Sequence, residues 1–196
     1  MIKVPDFNAL YGANPDPWAV SSSFYEQRKL DLVLGVLARP RYAHAWDPAC
    51  GTGHGAERLA DRAEQVLATD AAATAVEITR RTCAGRLNVT VEQRSLPSPV
   101  RAGETFDLMV LGEFLYYLVD VDRSATYDLL HAAAAPTAEV VAVHWRHHPH
   151  DAWLSGAAVQ AELVSALTGR GWHLEVELEE PNFIMHTLRR EAADHA

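Results

Sequence analysis

Trp46-Asp47-Pro48-Ala49-Cys50-Gly51-Thr52-Gly53-His54-Gly55 is the stretch on which the fold of this chain turns. The apolar run from Tyr42 to Trp46 leads into an acid and a turn of small residues. A helical pattern carrying Leu59 and Ala60 follows at once. A strand that feeds a helix through such a turn aims backbone N–H groups and a helix N-terminus at one point. Gly51 and Gly53 carry no Cβ and would let a ligand approach the main chain. The stretch reads as the floor of a nucleotide-type pocket.

Spacing alone does not choose the nucleotide, because Gly51 to Ala56 also satisfies the loose G-x-G-x-x-G/A dinucleotide pattern. Two acids separate the readings. Asp47 closes the first strand, where it could take the ammonium of an amino-acid-like ligand and would repel a pyrophosphate. Asp70 ends the next apolar run, Val66 to Thr69, where a carboxylate can grip ribose hydroxyls.

The 196 residues are 48% hydrophobic, enough for one domain with a sizeable core. No apolar run is long enough for a membrane span, and no signal-peptide pattern opens the chain. A net charge of −9 argues against a nucleic-acid partner. Cys50 and Cys83 form no C-x-x-C pair and point to a reducing cytoplasm. No base stands beside Cys50 in sequence, so packing in the turn outweighs a nucleophilic role. Nothing in the pattern selects an oligomeric state.

Along the chain, residues 1–20 read as an irregular arm or lid, with Gly12, Asn14, Pro15 and Pro17 breaking regular structure. One domain is expected over 21–190, and 191–196 read as a frayed tail. Helical spacing covers about 24–38, with Leu30, Val33, Leu34 and Leu37 on one face. After the Val66 strand come a helix from Ala72 to Cys83, a strand from Asn88 to Gln93 and the buried run from Phe106 to Leu111. A helix from Asp122 to Ala134 and a strand from Glu139 to Val143 follow, then a helix from Ser155 to Leu167. Alternating runs from Trp172 to Leu178 and Phe183 to Leu188 close the pattern as a hairpin. Strands alternating with helices predict an α/β, Rossmann-like, doubly wound and mostly parallel sheet ending in an antiparallel hairpin.

These motifs together resemble the nodulation N-methyltransferase (NodS) family. The resemblance rests on Asp16-Pro17-Trp18, Tyr25-Glu26-Gln27-Arg28-Lys29, Trp46–Gly53, Phe106–Leu118, His144-Trp145-Arg146 and Glu180-Pro181-Asn182-Phe183. It implies the seven-stranded class I methyltransferase fold, and methyl transfer from S-adenosylmethionine (SAM) to a small-molecule amine such as that of an amino sugar or oligosaccharide, with S-adenosylhomocysteine as product. It further implies that Ala49, Gly51 and Gly53, with Cys50 in the same loop, line the methionine part of the cofactor. Asp47 stands at its ammonium, Asp70 at both ribose hydroxyls and Ala71 against the adenine. Leu96 would present its N–H to the ring, Gly112 a carbonyl to the ammonium, and Trp18 and Arg28 would belong to a lid. Two positions depart from the family: Ala49 replaces a glycine, which asks for a negative φ or a wider turn. Ser95 replaces the aspartate that takes the adenine amino group, and binds it without charge assistance.

An attacking amine must be neutral, so the site needs desolvation or an acceptor for the departing proton. Glu113, just beyond the Phe106–Leu111 strand, could hold an ammonium or accept its proton; equally it could be a helix N-terminal acid. Tyr117 or Tyr116 could orient the amine, one of them serving only as packing. His144 could act as a base or be a hydrogen-bonded strand-end residue. His144, His147, His148 and His150 lie in a proline-interrupted loop without fixed geometry, and no metal is expected. Other readings are O-methylation with His144 deprotonating a hydroxyl, a nicotinamide-dependent oxidoreductase, and a non-catalytic SAM-binding module.

Overall fold

The computed structural model describes residues 4–191. They divide into two compact units, one made of residues 5–95 and the other chiefly of the residues from 96 onward. Residues 192–196 of the expected tail lie outside the described residues.

The first unit contains α1 (Phe7–Ala13), α2 (Phe24–Gly35), β1 (Tyr42–Pro48), α3 (His54–Leu59), β2 (Ala63–Asp70), α4 (Ala73–Thr82) and β3 (Val89–Gln93). Its strands are parallel, with Trp46 opposite Leu67 and Leu67 opposite Thr90. Ala45, Trp46, Val66, Leu67 and Ala68 are buried without alternation, as expected of parallel strands covered on both faces. The Trp46 indole N–H finds a partner inside, the Thr69 hydroxyl at 3.1 Å.

Helix α1 corrects the expectation of an irregular arm over residues 1–20. Asp6 caps it by accepting the Ala9 N–H at 3.1 Å. Tyr11 and Phe7 then pack on Ala72, Ala75 and Ile78. Asn8 accepts the N–H of Thr74 at the first turn of α4 at 3.2 Å. The breakers Asn14, Pro15 and Pro17 act only after this helix has ended.

The second unit contains β4 (Phe106–Gly112), a 3₁₀ turn (Leu115–Tyr117), α5 (Asp120–Ala133), β5 (Ala134–Trp145), α6 (Gly156–Thr168), β6 (Trp172–Glu179) and β7 (Phe183–Arg190). β4 and β5 are parallel, whereas β7 runs antiparallel to both β5 and β6. The final hairpin is therefore not sequential at the edge: β7 lies between β5 and β6. This explains why residues 183–188 are buried without alternation, while β6, at the edge, is largely exposed beyond Trp172. The edge strand carries Glu175, Glu177 and Glu179, charges that discourage pairing with another chain. The buried Arg123 on α5 donates to the Leu118 carbonyl at 2.8 Å and to Glu162 on α6 at 2.5 Å. It thereby ties the 3₁₀ turn to both helices.

The strands run in the order β3-β2-β1 within the first unit and β4-β5-β7-β6 within the second, and the fold is the mixed seven-stranded α/β fold of the class I methyltransferase type.

Candidate functional site

The residues singled out in the sequence fall into two groups, one in each unit. In the first unit, the loop between β1 and α3 takes left-handed backbone at Ala49 (φ 61), Gly51 (φ 56) and Gly53 (φ 83). Ala49 thus does not adopt the negative φ expected of a non-glycine residue; the turn is kept and the alanine bears the strain. Anchors on two sides hold it there. From β2, the Thr69 carbonyl accepts the Cys50 N–H at 2.9 Å and Asp70 accepts the Gly51 N–H at 3.0 Å. From α4, Thr79 donates to the Gly51 carbonyl at 2.9 Å and Thr82 to the Thr52 carbonyl at 2.8 Å.

The two glycines have different work. A Cβ on Gly53 would stand 2.9 Å from the Thr79 Cα, so this glycine admits α4 rather than a ligand. A Cβ on Gly51 would stand 2.7 Å from the Tyr11 hydroxyl. Tyr11, which the sequence reading passed over, covers the loop and meets Trp18 edge-on at 5.8 Å between ring centres. Its signal was present: Phe7, Leu10 and Tyr11 have helical spacing behind a capping acid. Trp18 is nearly half exposed, on a turn in which Asp16 accepts the N–H groups of Val20 and Ser21 at 2.7 and 2.9 Å. Arg28 lies half-buried on α2.

Asp47 and Asp70 are both buried at the carboxyl ends of β1 and β2. Burial, and then the neighbouring Asp70 charge, push the Asp47 carboxyl up to about 7, although the Ala56 N–H in α3 works against this. Burial raises Asp70 as well, opposed by N–H bonds from Ala72, Gly51 and Ala71. A carboxylate has about four acceptor positions, and Asp70 spends one oxygen on Gly51 and the other on Ala72 at 2.9 Å. It can still accept from a diol, and Ala71 beside it is exposed. The Arg94 N–H donates to the Asp70 carbonyl at 2.9 Å, tying the exit of β3 to this position just before the exposed Ser95. The Cys50 thiol is raised well above its usual range by burial and by Asp47, which disfavours a thiolate.

In the second unit, Gly112 ends β4 and Glu113 follows in left-handed backbone (φ 60). One Glu113 oxygen accepts both the Trp145 N–H and the Tyr116 hydroxyl, each at 2.7 Å. Burial and the adjacent Glu113 carboxylate push the Tyr116 phenol far above its usual range, so it remains a donor. Tyr116 thus holds Glu113. Tyr117 is half-buried and meets Tyr116 edge-on at 4.7 Å. Leu96, at the start of this unit's segment, is half-buried.

His144 has no exposed surface. Its Nε2 accepts the Leu115 N–H at 3.4 Å, and its Nδ1 lies 3.0 Å from the amide of the buried Gln160. His147 and His148 face the carbonyls of Pro181 and Ala152, each at 3.0 Å. Among the described residues no group of three or more His, Cys, Asp or Glu is arranged to hold a metal.

Residues 10–169 match the sequence model of the family Nodulation protein S (NodS). Nodulation protein S of Rhizobium tropici is 31% identical over 128 residues, 62% of this chain and 52% of that protein. The chain thus spans about half the length of that curated relative. A crystal structure from Pseudomonas syringae, provisionally described as a methyltransferase, is 31% identical and superposes with a TM-score of 0.74 over 86% of this chain and 100% of that one. The N-methyltransferase NodS from Bradyrhizobium japonicum WM9, solved with S-adenosylhomocysteine, shares the fold at a TM-score of 0.79 and 18% identity, over 94% and 97% of the two chains.

Proposed function

This chain belongs to the nodulation protein S (NodS) family, and on that premise we propose that it is a SAM-dependent N-methyltransferase acting on an amine of a small molecule such as an amino sugar or oligosaccharide. The observation that carries the reading is the pair of buried carboxylates, Asp47 and Asp70, beside a glycine loop already fixed by β2 and α4. Acids buried without a cation are costly, and they fit a ligand that brings an ammonium and a diol. Asp47 does not suit the pyrophosphate of a nicotinamide cofactor, whereas Asp70 would serve the ribose of either nucleotide.

Bound SAM supplies an electrophilic methyl carbon on a sulfonium. Asp70 would take the ribose hydroxyls, with Ala71, Ser95 and Leu96 toward the adenine. Asp47 and the loop from Ala49 to Thr52, its turn closed on α4 by Gly53, would receive the methionine part, and Trp18 and Arg28 would cover it. The chain's remaining task is to align the acceptor and to take its proton. Glu113 is suited to that: Trp145 and Tyr116 fix its carboxylate, which has acceptor capacity for an ammonium as well. Tyr117, with more surface access than Tyr116, would orient the amine. Burial of His144, with one ring nitrogen on Leu115 and the other at Gln160, favours an amine over a hydroxyl that would need a histidine base.

No helix among the described residues is long and apolar enough to cross a membrane, and both cysteines are free. The net charge of −9 and the two cysteines without a C-x-x-C pair are what support reading it as a cytoplasmic enzyme with a small-molecule partner and no nucleic acid.

Calorimetric titration with S-adenosylhomocysteine, with NADH as comparator, tests the cofactor. Binding of the first alone is expected, and Asp70→Ala should weaken it at least about tenfold, the loss of charge-assisted hydrogen bonds worth about 1.5–3 kcal/mol each. Binding of NADH alone would replace this reading with the dehydrogenase. Transfer of a labelled methyl group to amino sugars then tests the acceptor.

A further inference from the structure

Behind the Glu113–Tyr116 pair lies a row of buried polar side chains in the second unit that the proposed chemistry does not use. His144 on β5, Gln160 on α6 and His186 on β7 are each 5% exposed or less. As placed, the Gln160 amide nitrogen faces His144 Nδ1 at 3.0 Å and the Ile184 carbonyl at 3.3 Å, and its oxygen faces His186 Nδ1 at 2.8 Å. At the far end, His186 Nε2 lies 3.7 Å from a Glu177 carboxylate oxygen.

The donors and acceptors decide which way this row runs. The Leu115 N–H can only donate, so His144 Nε2, toward which it points at 3.4 Å, must accept. A neutral imidazole then carries its proton on Nδ1 and needs an acceptor there. An amide nitrogen is not one, so Gln160 must turn its oxygen to His144 and its nitrogen to His186 Nδ1. That places the His186 proton on Nε2, facing the Glu177 carboxylate. The opposite orientation sets two donors against each other at Leu115 and a lone pair against Glu177. Turning the amide replaces the long 3.3 Å bond to the Ile184 carbonyl with an oxygen–oxygen contact at that distance, one mismatch in place of the two at Leu115 and Glu177.

We propose that Gln160 is a positioning residue: its amide oxygen holds His144 as the Nδ1–H tautomer, so that Nε2 anchors the Leu115 N–H and with it the turn that aims Tyr116 at Glu113. His144 also meets the Tyr116 ring edge-on at 5.4 Å, so the ring it fixes is a wall of the same turn. A slip of about 1 Å in that turn is enough to cost a reaction much of its rate. The catalytic consequence rests on the methyltransferase reading; the tautomer does not.

The first test is the histidine ring ¹⁵N–¹H spectrum of the wild-type protein, assigned through bonds from the backbone of residue 144. A protonated Nδ1 with a lone pair on Nε2 is expected, and an Nε2–H tautomer would overturn the proposal. The second is kinetic. Gln160→Leu should lower kcat about tenfold or more, with S-adenosylhomocysteine affinity within about twofold of wild type. Gln160→Glu still offers an oxygen to His144 and should recover most of kcat. An unimpaired Gln160→Leu, or a Gln160→Glu no better than it, would also overturn the proposal. A wild-type protein that methylates no amine defeats the methyltransferase reading instead, and the ring spectrum still decides the tautomer.

Discussion

Ala49 is a side chain in a backbone conformation that favours glycine. At φ 61 its Cβ crowds the following carbonyl, a cost of about 1–2 kcal/mol. Glycine would relieve this but gives back part through the greater freedom of the unfolded chain, about 0.4–1 kcal/mol. Ala49→Gly should therefore stabilise the protein by about 0.5–1 kcal/mol, read as a higher urea midpoint at unchanged slope; a lower midpoint would mean that the alanine methyl makes packing contacts worth more than the strain. Asp47 gives a pH dependence whose sign follows from its environment. Burial and the Asp70 charge hold its carboxyl at about 7, against 3.8 for an unperturbed group. Between those values the folded protein keeps a proton that the unfolded chain has lost, so this group makes stability fall as pH rises and level off above 7. The loss from pH 5 to pH 8 is about 2–3 kcal/mol. Asn at this position can still accept the Ala56 N–H but cannot ionise. Urea unfolding of wild type and Asp47→Asn at both pH values should show the variant gaining on wild type as pH rises. Parallel pH profiles would count against the buried-acid description.

At the scale of elements, α6 is set against the end of β5 with no room for a side chain at its start. Ser155 caps the helix by accepting the Ala158 N–H at 3.1 Å, while the N–H groups of Gly156 and Ala157 bond the carbonyls of His147 and Arg146, each at 3.0 Å. A Cβ on Gly156 would stand 1.9 Å from the Trp145 carbonyl oxygen, and that backbone cannot step aside alone because its own N–H is held by Glu113. Gly156→Ala should therefore cost about 1–3 kcal/mol, the usual range for overpacking a filled site. It should also lower methyl-transfer turnover more than it weakens cofactor binding, because the displaced strand end is the one that orients Glu113. Thermal unfolding and kcat measured on the same preparation check both parts, and a variant as stable as wild type would show that α6 can slide. The same seam shows why Gln160 could not be found from the sequence. Its spacing places it on the otherwise apolar buried face of α6, but nothing local says that histidines from β5 and β7 will meet it there. Helix α1 is the opposite case. Its capping acid and apolar spacing were readable, and nearby prolines outweighed them although they act only beyond Ala13.

For the whole molecule, the order of strands and helices was readable because burial on both faces leaves continuous apolar runs, as at residues 106–111, and because Asp47, Gly51, Gly53 and Asp70 stand at strand exits. The place of β7 was less so, since a hairpin pattern does not say which of its strands lies inside. What sequence could not supply is the loading of each site residue: that Gly53 makes room for α4, that Tyr116 holds Glu113, that His144 is sealed from solvent. The first and last arise from contacts between residues 26 and 16 apart in sequence, Gly53 with Thr79 and His144 with Gln160, and the second from the local backbone at Glu113, none of which a residue pattern encodes. A global measurement follows from the preformed loop. If the β1–α3 turn is fixed before ligand arrives, binding energy is not spent on ordering it and appears in full as stability. A ligand that binds only the folded state adds RT ln(1 + [L]/Kd), about 2.7 kcal/mol at a hundredfold excess over Kd. For a chain of this length that raises the unfolding temperature by about 5–10 °C. S-adenosylhomocysteine should produce this rise and NADH none. Asp70→Ala, binding at least about tenfold more weakly, should lose about half of the rise or more at the same ligand concentration, read against the variant's own unliganded unfolding temperature. A shift equal in Asp70→Ala and wild type would place the ligand elsewhere than at the end of β2.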